Sequence, residues 1–211
     1  MKENLLRFDN KQKYIFFDFE TCNLSLSSPN NKPWQLAFAI FEGGNQLEVA
    51  NYYIHWEDLK ISQGAKQVTG FSETKYKKEA KPAADALSHF DKYMYNDDYL
   101  KCGHNILGFD VYIHNIFRNL LGFPTDYSYI PLCIDTLCLA RAINNEIPCG
   151  DDRTAWQLRL NSLRKRGQKA TLGACCKRYQ IETDESKLHD ALYDIKKNHQ
   201  VFRKQIWDLE I

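Results

Sequence analysis

The run at residues 14–19, YIFFDF, constrains the fold of this chain more than any other segment. It is rich in aromatic and β-branched residues and too short for a typical helix, so it predicts a strand buried on both faces. Asp18 and Glu20 lie at its exit, although a buried strand rarely carries charge unless that charge is paired or binds a metal ion. Side chains at positions i and i+2 of a strand point to the same side, so these two carboxylates can converge on one cation.

Four later runs also predict strands, at residues 34–41, 47–56, 99–102 and 130–134. The glycine-rich turn at residues 42–45 favours a hairpin between the first two of these runs. Together with the strand before them, they predict an antiparallel meander of three strands.

Apolar residues recur at helical spacing in the remaining segments, notably at residues 83–94, at 113–121 and in much of 172–206. Three hairpin-linked strands followed by alternating helices and strands predict an α/β fold. Its sheet is expected to be mixed and five-stranded, with three antiparallel strands plus two parallel ones, and flanked by helices. A length of 211 residues favours a single domain over residues 1–211, with its core at about 13–208.

Composition narrows the class of protein. The net charge of +1 gives no overall basic character, so any affinity for nucleic acid must come from a local patch. Seven cysteines without a Cys-x-x-Cys pair disfavour a disulfide framework or a zinc site, and they favour a reduced, cytoplasmic protein. The first residues lack an apolar signal core, and no stretch approaches the roughly 18 apolar residues of a membrane span, so we expect a soluble protein.

Two more acids and a histidine join Asp18 and Glu20 as candidate site residues, although each of them alone has a simpler explanation. Asp110 opens a predicted helix, where the helix dipole favours a carboxylate without any function. His189 can be an ordinary histidine, and Asp194 an ordinary charge on a helix surface. With 27 acidic residues in the chain, roughly one Asp-x-Glu is expected by chance, so the order and context of these residues carry the argument.

In that order, the residues resemble the DnaQ-like, DEDDh-type 3′-to-5′ exonucleases of the RNase H-like superfamily. The sequence DFET supplies Asp18 and Glu20, HNILGFD supplies Asp110, and His189 and Asp194 match the third motif, His-x-x-x-x-Asp. The similarity extends to QVTGFSETKY, IDTLCLARAI and TLGACCKRYQI, and so covers most of the chain. It implies an RNase H-like fold and the hydrolysis of phosphodiester bonds.

The resemblance also implies a cofactor and a role for each residue. Two divalent ions about 3.5 to 4 Å apart stabilise the attacking and leaving oxygens of such a reaction. Hard oxygen ligands favour Mg²⁺, with Mn²⁺ as a substitute. Asp18 would bridge both ions, Glu20 and Asp194 would complete the shell of the first, and Asp110 would support the second. His189 would be the general base, because an imidazole with a pKa near ~6.5 can accept a proton near neutral pH.

The implied substrate is a single-stranded 3′ end, from which nucleoside monophosphates are released. By the same resemblance, Thr21 and Leu24 meet the terminal nucleotide, with Leu24 wedged against its base. His104 and Asn105, in the second motif, are also assigned to substrate binding.

Three departures from the family pattern stand out. Asn23 occupies a turn where many relatives have glycine, and asparagine tolerates left-handed backbone geometry. The second motif has one residue more between Asn105 and Phe109 than many relatives, which leaves the position of Asp110 uncertain. This longer motif is reminiscent of the proofreading domains of family B DNA polymerases, which use tyrosine in the third motif. Tyr193 directly precedes Asp194 here, but the spacing of His189 favours the histidine subtype.

A basic segment at residues 153–181 contains eight lysines and arginines and no acid. Arg164, Lys165 and Arg166 are predicted to contact backbone phosphates, and Trp156 to stack on a base. The alternative is a solvated helical face.

Two other groups of residues are predicted to have packing roles. One is the NKPW sequence at residues 31–34, and the other is the adjacent pair Cys175 and Cys176.

Two alternative functions remain open on sequence alone. One is an exoribonuclease that trims RNA, because no residue can be assigned to a 2′-hydroxyl contact. The other is a weakly active nucleic-acid binding module associated with a polymerase or replication complex.

Overall fold

The computed structural model describes residues 5–23, 25–26, 28, 31–184 and 190–211. Within them the chain forms one six-stranded sheet in the order β4-β3-β2-β1-β5-β6, with helices around it. The strands are β1 Lys13–Thr21, β2 Pro33–Glu42, β3 Asn45–His55, β4 Lys81–Pro82, β5 Tyr99–Gly103 and β6 Cys133–Asp135. The mixed α/β fold predicted from the sequence is confirmed.

Eight α-helices accompany these strands in the part of the chain that the structure describes. They are α1 Gln63–Thr69, α2 Glu73–Glu79, α3 Ala83–Met94, α4 Asp110–Leu120, α5 Thr136–Asn145, α6 Arg153–Ser162, α7 Leu172–Arg178 and α8 Ala191–Asp208. Among the described residues, none of the helices has both the length and the apolar character that crossing a membrane requires.

Strand β1 lies inside the sheet and positions the acidic residues. It pairs antiparallel with β2 along its whole length, Asp18 opposite Ala37 and Glu20 opposite Gln35. On its other side it pairs parallel with β5, but this pairing ends at Phe16. The second half of β1 therefore has an open edge, and the two acidic residues lie in this half.

Two strand predictions need correction. The predicted five-stranded sheet has a sixth strand, the two-residue β4, which pairs parallel with the end of β3. The strand predicted at residues 130–134 is instead a 3₁₀ turn, Ile130–Leu132, followed by the short β6. Pro131 explains the second difference, because proline has no N–H for a strand ladder and is accommodated in a first helical turn.

Aromatic side chains cover both faces of the sheet. On one face, Phe16 of β1 packs against Phe202 of α8 with ring centroids 5.5 Å apart. His199 of the same helix stacks on Phe41 of β2 at 3.7 Å. On the other face, Phe17 packs against Phe90 of α3 at 5.2 Å. The alternation along β1 confirms a strand buried on both sides.

The packing roles predicted for two groups are also confirmed. Asn31 and Trp34 are buried, and Trp34 stacks on Tyr53. Cys175 and Cys176 are both buried in a small core beneath α7.

Candidate active site

Four carboxylates from three elements gather at the end of β1. Asp18 and Glu20 come from the strand itself, Asp110 from the first residue of α4, and Asp194 from the first turn of α8. Glu20, Asp110 and Asp194 each lie close enough to Asp18 to raise its pKa. The fold thus brings together the four acids that the sequence motifs predicted.

Burial and mutual repulsion determine how these acids ionise. Burial raises the pKa of Asp18 well above its usual value, and the carboxylates of Asp110, Glu20 and Asp194 raise it further. Burial raises the pKa of Glu20 to about 9, with Asp194 as the strongest neighbouring charge. Such a cluster has a strong preference for a proton or a metal cation.

Asp110 also supports the open edge of β1. Its Oδ1 accepts a hydrogen bond of 3.0 Å from the backbone N–H of Phe19, beyond the end of the pairing with β5. Burial raises the pKa of Asp110 to about 8, while this N–H donor lowers it. The extra residue in the second motif therefore does not move Asp110 away from β1.

The loop between β5 and α4 explains how that extra residue fits. Asn105 adopts a left-handed backbone with φ of 65°, and its N–H donates to Oδ1 of Asp135 at 2.8 Å. Oδ2 of Asp135 accepts the N–H of Leu107 at 3.0 Å. Gly103 permits the close approach, because a Cβ there would lie 2.1 Å from Cγ2 of Ile106.

Asp135 was not predicted as a functional residue. It is completely buried, and burial raises its pKa to about 6, against the lowering effect of the N–H groups it accepts. It also caps α5, because it accepts the N–H of Leu137 at 2.9 Å. Its contacts with the 105–107 loop join segments far apart in the chain, which no local motif reveals.

A cavity of about 530 Å³ opens beside the acids. Its lining combines acidic, basic and apolar side chains: Phe17, Asp18, His104, Asn105, Leu137, Arg141, Arg164, Thr171, Leu172, Asp194, Ile195 and Asn198. His104 hydrogen-bonds to Oγ1 of Thr136 at 3.0 Å and to the backbone of Ala170. Burial lowers its pKa to about 4, so its ring is neutral at pH 7.

The loop after β1 differs from the expected turn. Asn23 is not among the residues with positive φ, and the left-handed asparagine in this site is Asn105. Instead, buried Asn31 holds the loop: its Oδ1 accepts the N–H of Asn23 at 3.0 Å, and its Nδ2 donates to the carbonyl of Asn23 at 2.8 Å. The Thr21 hydroxyl also donates to that carbonyl, at 2.6 Å. The predicted contact residue Leu24 lies outside the described residues.

The third motif begins at the start of α8. Asp190 caps the helix by accepting the N–H of Tyr193 at 3.0 Å, and its charge also raises the pKa of Asp18 and of Glu20. Asp190 was not predicted as part of the site. The predicted general base, His189, lies outside the described residues.

The basic segment contributes to a second cavity of about 320 Å³, beside the first. Arg164 lines both cavities, while Lys165 and Arg166 line the second. The predicted stacking role of Trp156 is wrong, because this side chain is 2% exposed and belongs to the core. Its position on the buried face of α6 removes it from any substrate strand.

The donor set suits a hard divalent cation, since it consists of carboxylate oxygens. Within the described residues, however, no three or more histidine, cysteine, aspartate or glutamate side chains are arranged to hold a metal ion. A bound cation would offset the mutual repulsion that helps to raise the pKa of Asp18 and Glu20.

Fold and site together define a nuclease domain. A family model described as exonuclease, of the RNase T type, matches residues 15–202. The chain therefore belongs to this exonuclease family, which is DnaQ-like and RNase H-like, and it has the DEDDh-type pattern. No curated protein matches the chain in sequence.

Solved structures of Escherichia coli exonuclease I are similar to this chain. The complex with a dT13 oligonucleotide gives a TM-score of 0.71 at 17% identity, covering 92% of this chain and 40% of that one. The zinc-bound complex with single-stranded DNA also gives 0.71 at 17% identity, with coverages of 91% and 40%. The dA16 complex gives 0.70 at 17% identity, with the same coverages. This chain thus spans about two fifths of the exonuclease I chains.

Proposed function

We propose that this protein is a metal-dependent 3′-to-5′ exonuclease that releases nucleoside monophosphates from single-stranded 3′ ends, with DNA as the preferred substrate. The observation that carries the proposal is the group of four carboxylates at the open edge of β1, beside a cavity of about 530 Å³. A structural role does not require acids that raise one another's pKa, whereas binding of divalent cations does favour them.

Asp18, Glu20, Asp110 and Asp194 are the residues that would hold Mg²⁺ or Mn²⁺. Asp18 would be a ligand of both ions, Glu20 and Asp194 would help to hold the first, and Asp110 would help to hold the second. When bound, the ions would stabilise the negative charge that develops on the phosphate oxygens. Asp110 already accepts the Phe19 N–H with one oxygen, so its other oxygen is the one proposed to face the second ion.

We assign the general base to His189, which accepts a proton from the attacking water. His104 is the histidine that lines the cavity among the described residues, but its pKa of about 4 makes it a weak base at neutral pH. A histidine whose pKa is near the ordinary value of ~6.5 suits the task better.

Several other residues are proposed to hold the substrate. Thr21 and Leu24 would contact the terminal nucleotide, and His104 and Asn105 would contact its neighbour from the cavity wall. Arg164, Lys165 and Arg166 would bind phosphates further along the strand. The exonuclease I structures with dT13 and dA16 support single-stranded DNA as the substrate. No observation favours a polymerase partner, and the proposal does not include one.

Matched DNA and RNA strands of about ten nucleotides, labelled at the 5′ end, test the proposal in the presence of Mg²⁺. We expect progressive shortening of the DNA from its 3′ end, slower shortening of the RNA, and nucleoside monophosphates as products. A blocked 3′ end should prevent the reaction. Internal cuts, or equal cleavage of the blocked strand, would contradict the proposal.

The Asp18→Asn variant tests the site itself. It replaces a carboxylate by an amide of nearly equal size, so the fold should persist while hydrolysis falls by at least about 10³-fold. Asp98→Asn is a matched control: Asp98 is exposed and directly precedes β5, at the end of that strand opposite to the site. Normal hydrolysis by folded Asp18→Asn protein would refute the assignment.

A further inference from the structure

The two cavities beside the acids are neighbours that share part of their lining. Four residues line both of them: Leu137, Arg141, Arg164 and Thr171. A nucleic-acid strand that extends past these shared residues would therefore reach the second cavity. A single nucleotide bound at the carboxylates would not need the second cavity.

The second cavity is positively charged, as a binding site for phosphate would be. Four basic side chains line it, and no acidic residue among those described does so. The other polar lining residues are uncharged: Asn144, Asn145, Gln168 and Thr171. Its charge is thus opposite in sign to that of the carboxylates that line the first cavity, Asp18 and Asp194.

Arg141 is the most firmly held of the basic residues. It comes from α5, outside the basic segment, and is partly buried, whereas Arg164 is exposed. Its Nη1 donates to the carbonyl of Leu160 at 3.0 Å and to that of Asn161 at 2.5 Å. Because these carbonyls fix the guanidinium, a phosphate that binds there causes little further loss of side-chain entropy.

Asn161 links this arrangement to the active-site loop. Its carbonyl also accepts Nη1 of Arg164 at 3.0 Å, so both guanidinium groups meet at one backbone oxygen. Its side-chain Nδ2 donates to Oδ1 of Asn105 at 3.4 Å. The end of α6 therefore positions two arginines and contacts the second motif at the same time.

We infer that the second cavity is a subsite for the backbone phosphates on the 5′ side of the scissile bond, with Arg141 as its principal anchor. This inference rests on the proposed function and deepens it, since it makes a strand of several nucleotides the substrate. Arg141 presents a planar fork of donors that matches a phosphate group. Arg164, Lys165 and Arg166 add charge around it.

A different result is expected if Arg141 has a purely structural role. Arginines often hydrogen-bond to carbonyls at a helix end, and Arg141 does so at the end of α6. If that were its whole role, removing the guanidinium would lower stability and affect short and long substrates equally.

Binding of a labelled ten-nucleotide thymidylate strand, with Ca²⁺ in place of Mg²⁺, separates the two roles. Arg141→Gln should weaken binding by about tenfold, as expected for the loss of one charge-assisted contact. The slope of log affinity against log salt should fall by about 0.7, which corresponds to one phosphate contact on a single strand. Arg159→Gln is the matched control: Arg159 is exposed in the same basic segment, lies on α6 and lines neither cavity.

Hydrolysis of two substrates provides the second readout. The loss of kcat/KM caused by Arg141→Gln should be at least about fivefold greater on the ten-nucleotide strand than on a dinucleotide. Arg141→Lys should recover part of the affinity, because it restores the charge without the fork.

The outcomes are distinguishable. Equal effects of Arg141→Gln and Arg159→Gln on affinity and slope, or equal losses on both substrates, would overturn the phosphate subsite. If wild-type protein hydrolysed neither substrate, the proposed function would fail. If wild-type protein cleaved both substrates but did not bind the longer one more tightly, the subsite alone would fail.

Discussion

At the level of single residues, the acids at the end of β1 hold their protons more firmly than they would in an unfolded chain. The pKa of Glu20 is raised to about 9, chiefly by burial, from an ordinary value near 4.5. Between these two values the native state binds more protons than the unfolded state, so stability falls as pH rises. The penalty is absent below about pH 4 and complete above about pH 9.

Glu20→Gln should therefore stabilise the metal-free protein at alkaline pH. We expect it to be more stable than wild type by at least about 1 kcal/mol at pH 8.5, with the difference shrinking toward pH 4.5. Chemical denaturation in EDTA at several pH values measures this difference. Added Mg²⁺ should stabilise wild type more than the variant, because the variant has lost a ligand. A difference independent of pH would mean that Glu20 is not repelled in the native state.

Gly103 is a second residue with a specific steric role. A Cβ there would lie 2.1 Å from Cγ2 of Ile106 and 3.0 Å from the carbonyl oxygen of Phe17. We expect Gly103→Ala to cost about 1–3 kcal/mol of stability and to reduce hydrolysis, because the loop carrying Asn105 must move. Thermal denaturation and turnover measure the two effects.

A double variant separates this clash from other causes. Ile106→Ala removes the atom that the new methyl group meets. Adding it to Gly103→Ala should cost less than the sum of the two single changes. Strict additivity would show that Ile106 is not the obstacle.

At the level of elements, helix α8 depends on a neutral histidine. His199 stacks on Phe41 at 3.7 Å, and burial, helped by the nearby Arg203, lowers its pKa to about 4. From about pH 6.5 down to about pH 4, the unfolded state takes up a proton that the native state does not. Stability is therefore lost as pH falls through this range.

His199→Phe should reduce that acid-induced loss. Phenylalanine keeps an aromatic ring on Phe41 without a titrating group, so we expect about 1–3 kcal/mol less destabilisation between pH 7 and pH 4. Urea denaturation at both pH values provides the measurement. The exposed His55→Gln is the control and should behave like wild type. If His199→Phe lost as much stability in acid as wild type, the native imidazole would already be charged.

The outcome for each element shows what a sequence can and cannot predict. Strands β1 and β2 and helices α3 and α4 were predictable because their apolar spacing is a local property. The 3₁₀ turn at Ile130–Leu132 was missed because the apolar pattern outweighed Pro131. The two-residue β4 exists through its pairing with β3, which no local pattern reveals.

The same limit applies to the candidate site. Short motifs predicted the four acids, and the fold does bring them together. The part played by Asp135 in the loop and the position of Arg141 between two cavities depend on contacts with residues far along the chain. Trp156 was assigned to the surface because its neighbours in sequence are basic, although its face of α6 is buried.

At the level of the whole molecule, the first and last described segments meet. The N–H of Leu6 donates to the carbonyl of Ile211 at 2.9 Å, and Phe8 contacts Trp207 edge to face with centroids 6.0 Å apart. Helix α8, which leads to this contact, also covers β1 at the centre of the sheet. These contacts support the proposal that one domain, with its core at about 13–208, folds as a unit.

One cooperative unit should unfold in one transition. We expect thermal melting followed by far-ultraviolet circular dichroism and by tryptophan fluorescence to give midpoints within about 1 °C of each other. The four tryptophans are spread from Trp34 to Trp207, so fluorescence samples distant parts of the molecule. Two separate midpoints would divide the chain into independent units.

The order of the elements along the chain has a consequence for the timing of folding. Strand β1 precedes every other strand and helix described here, whereas the helix that covers Phe16 and supplies Asp194 follows all of them. Contacts between such distant segments form slowly, because a long loop must close before they gain any free energy. Until α8 docks, the nascent protein exposes the most aromatic strand of its sheet and has no complete set of acids. Nuclease activity is therefore acquired only once α8 has docked, and a chain that lacks this helix would offer a chaperone its central strand before it could cleave nucleic acid.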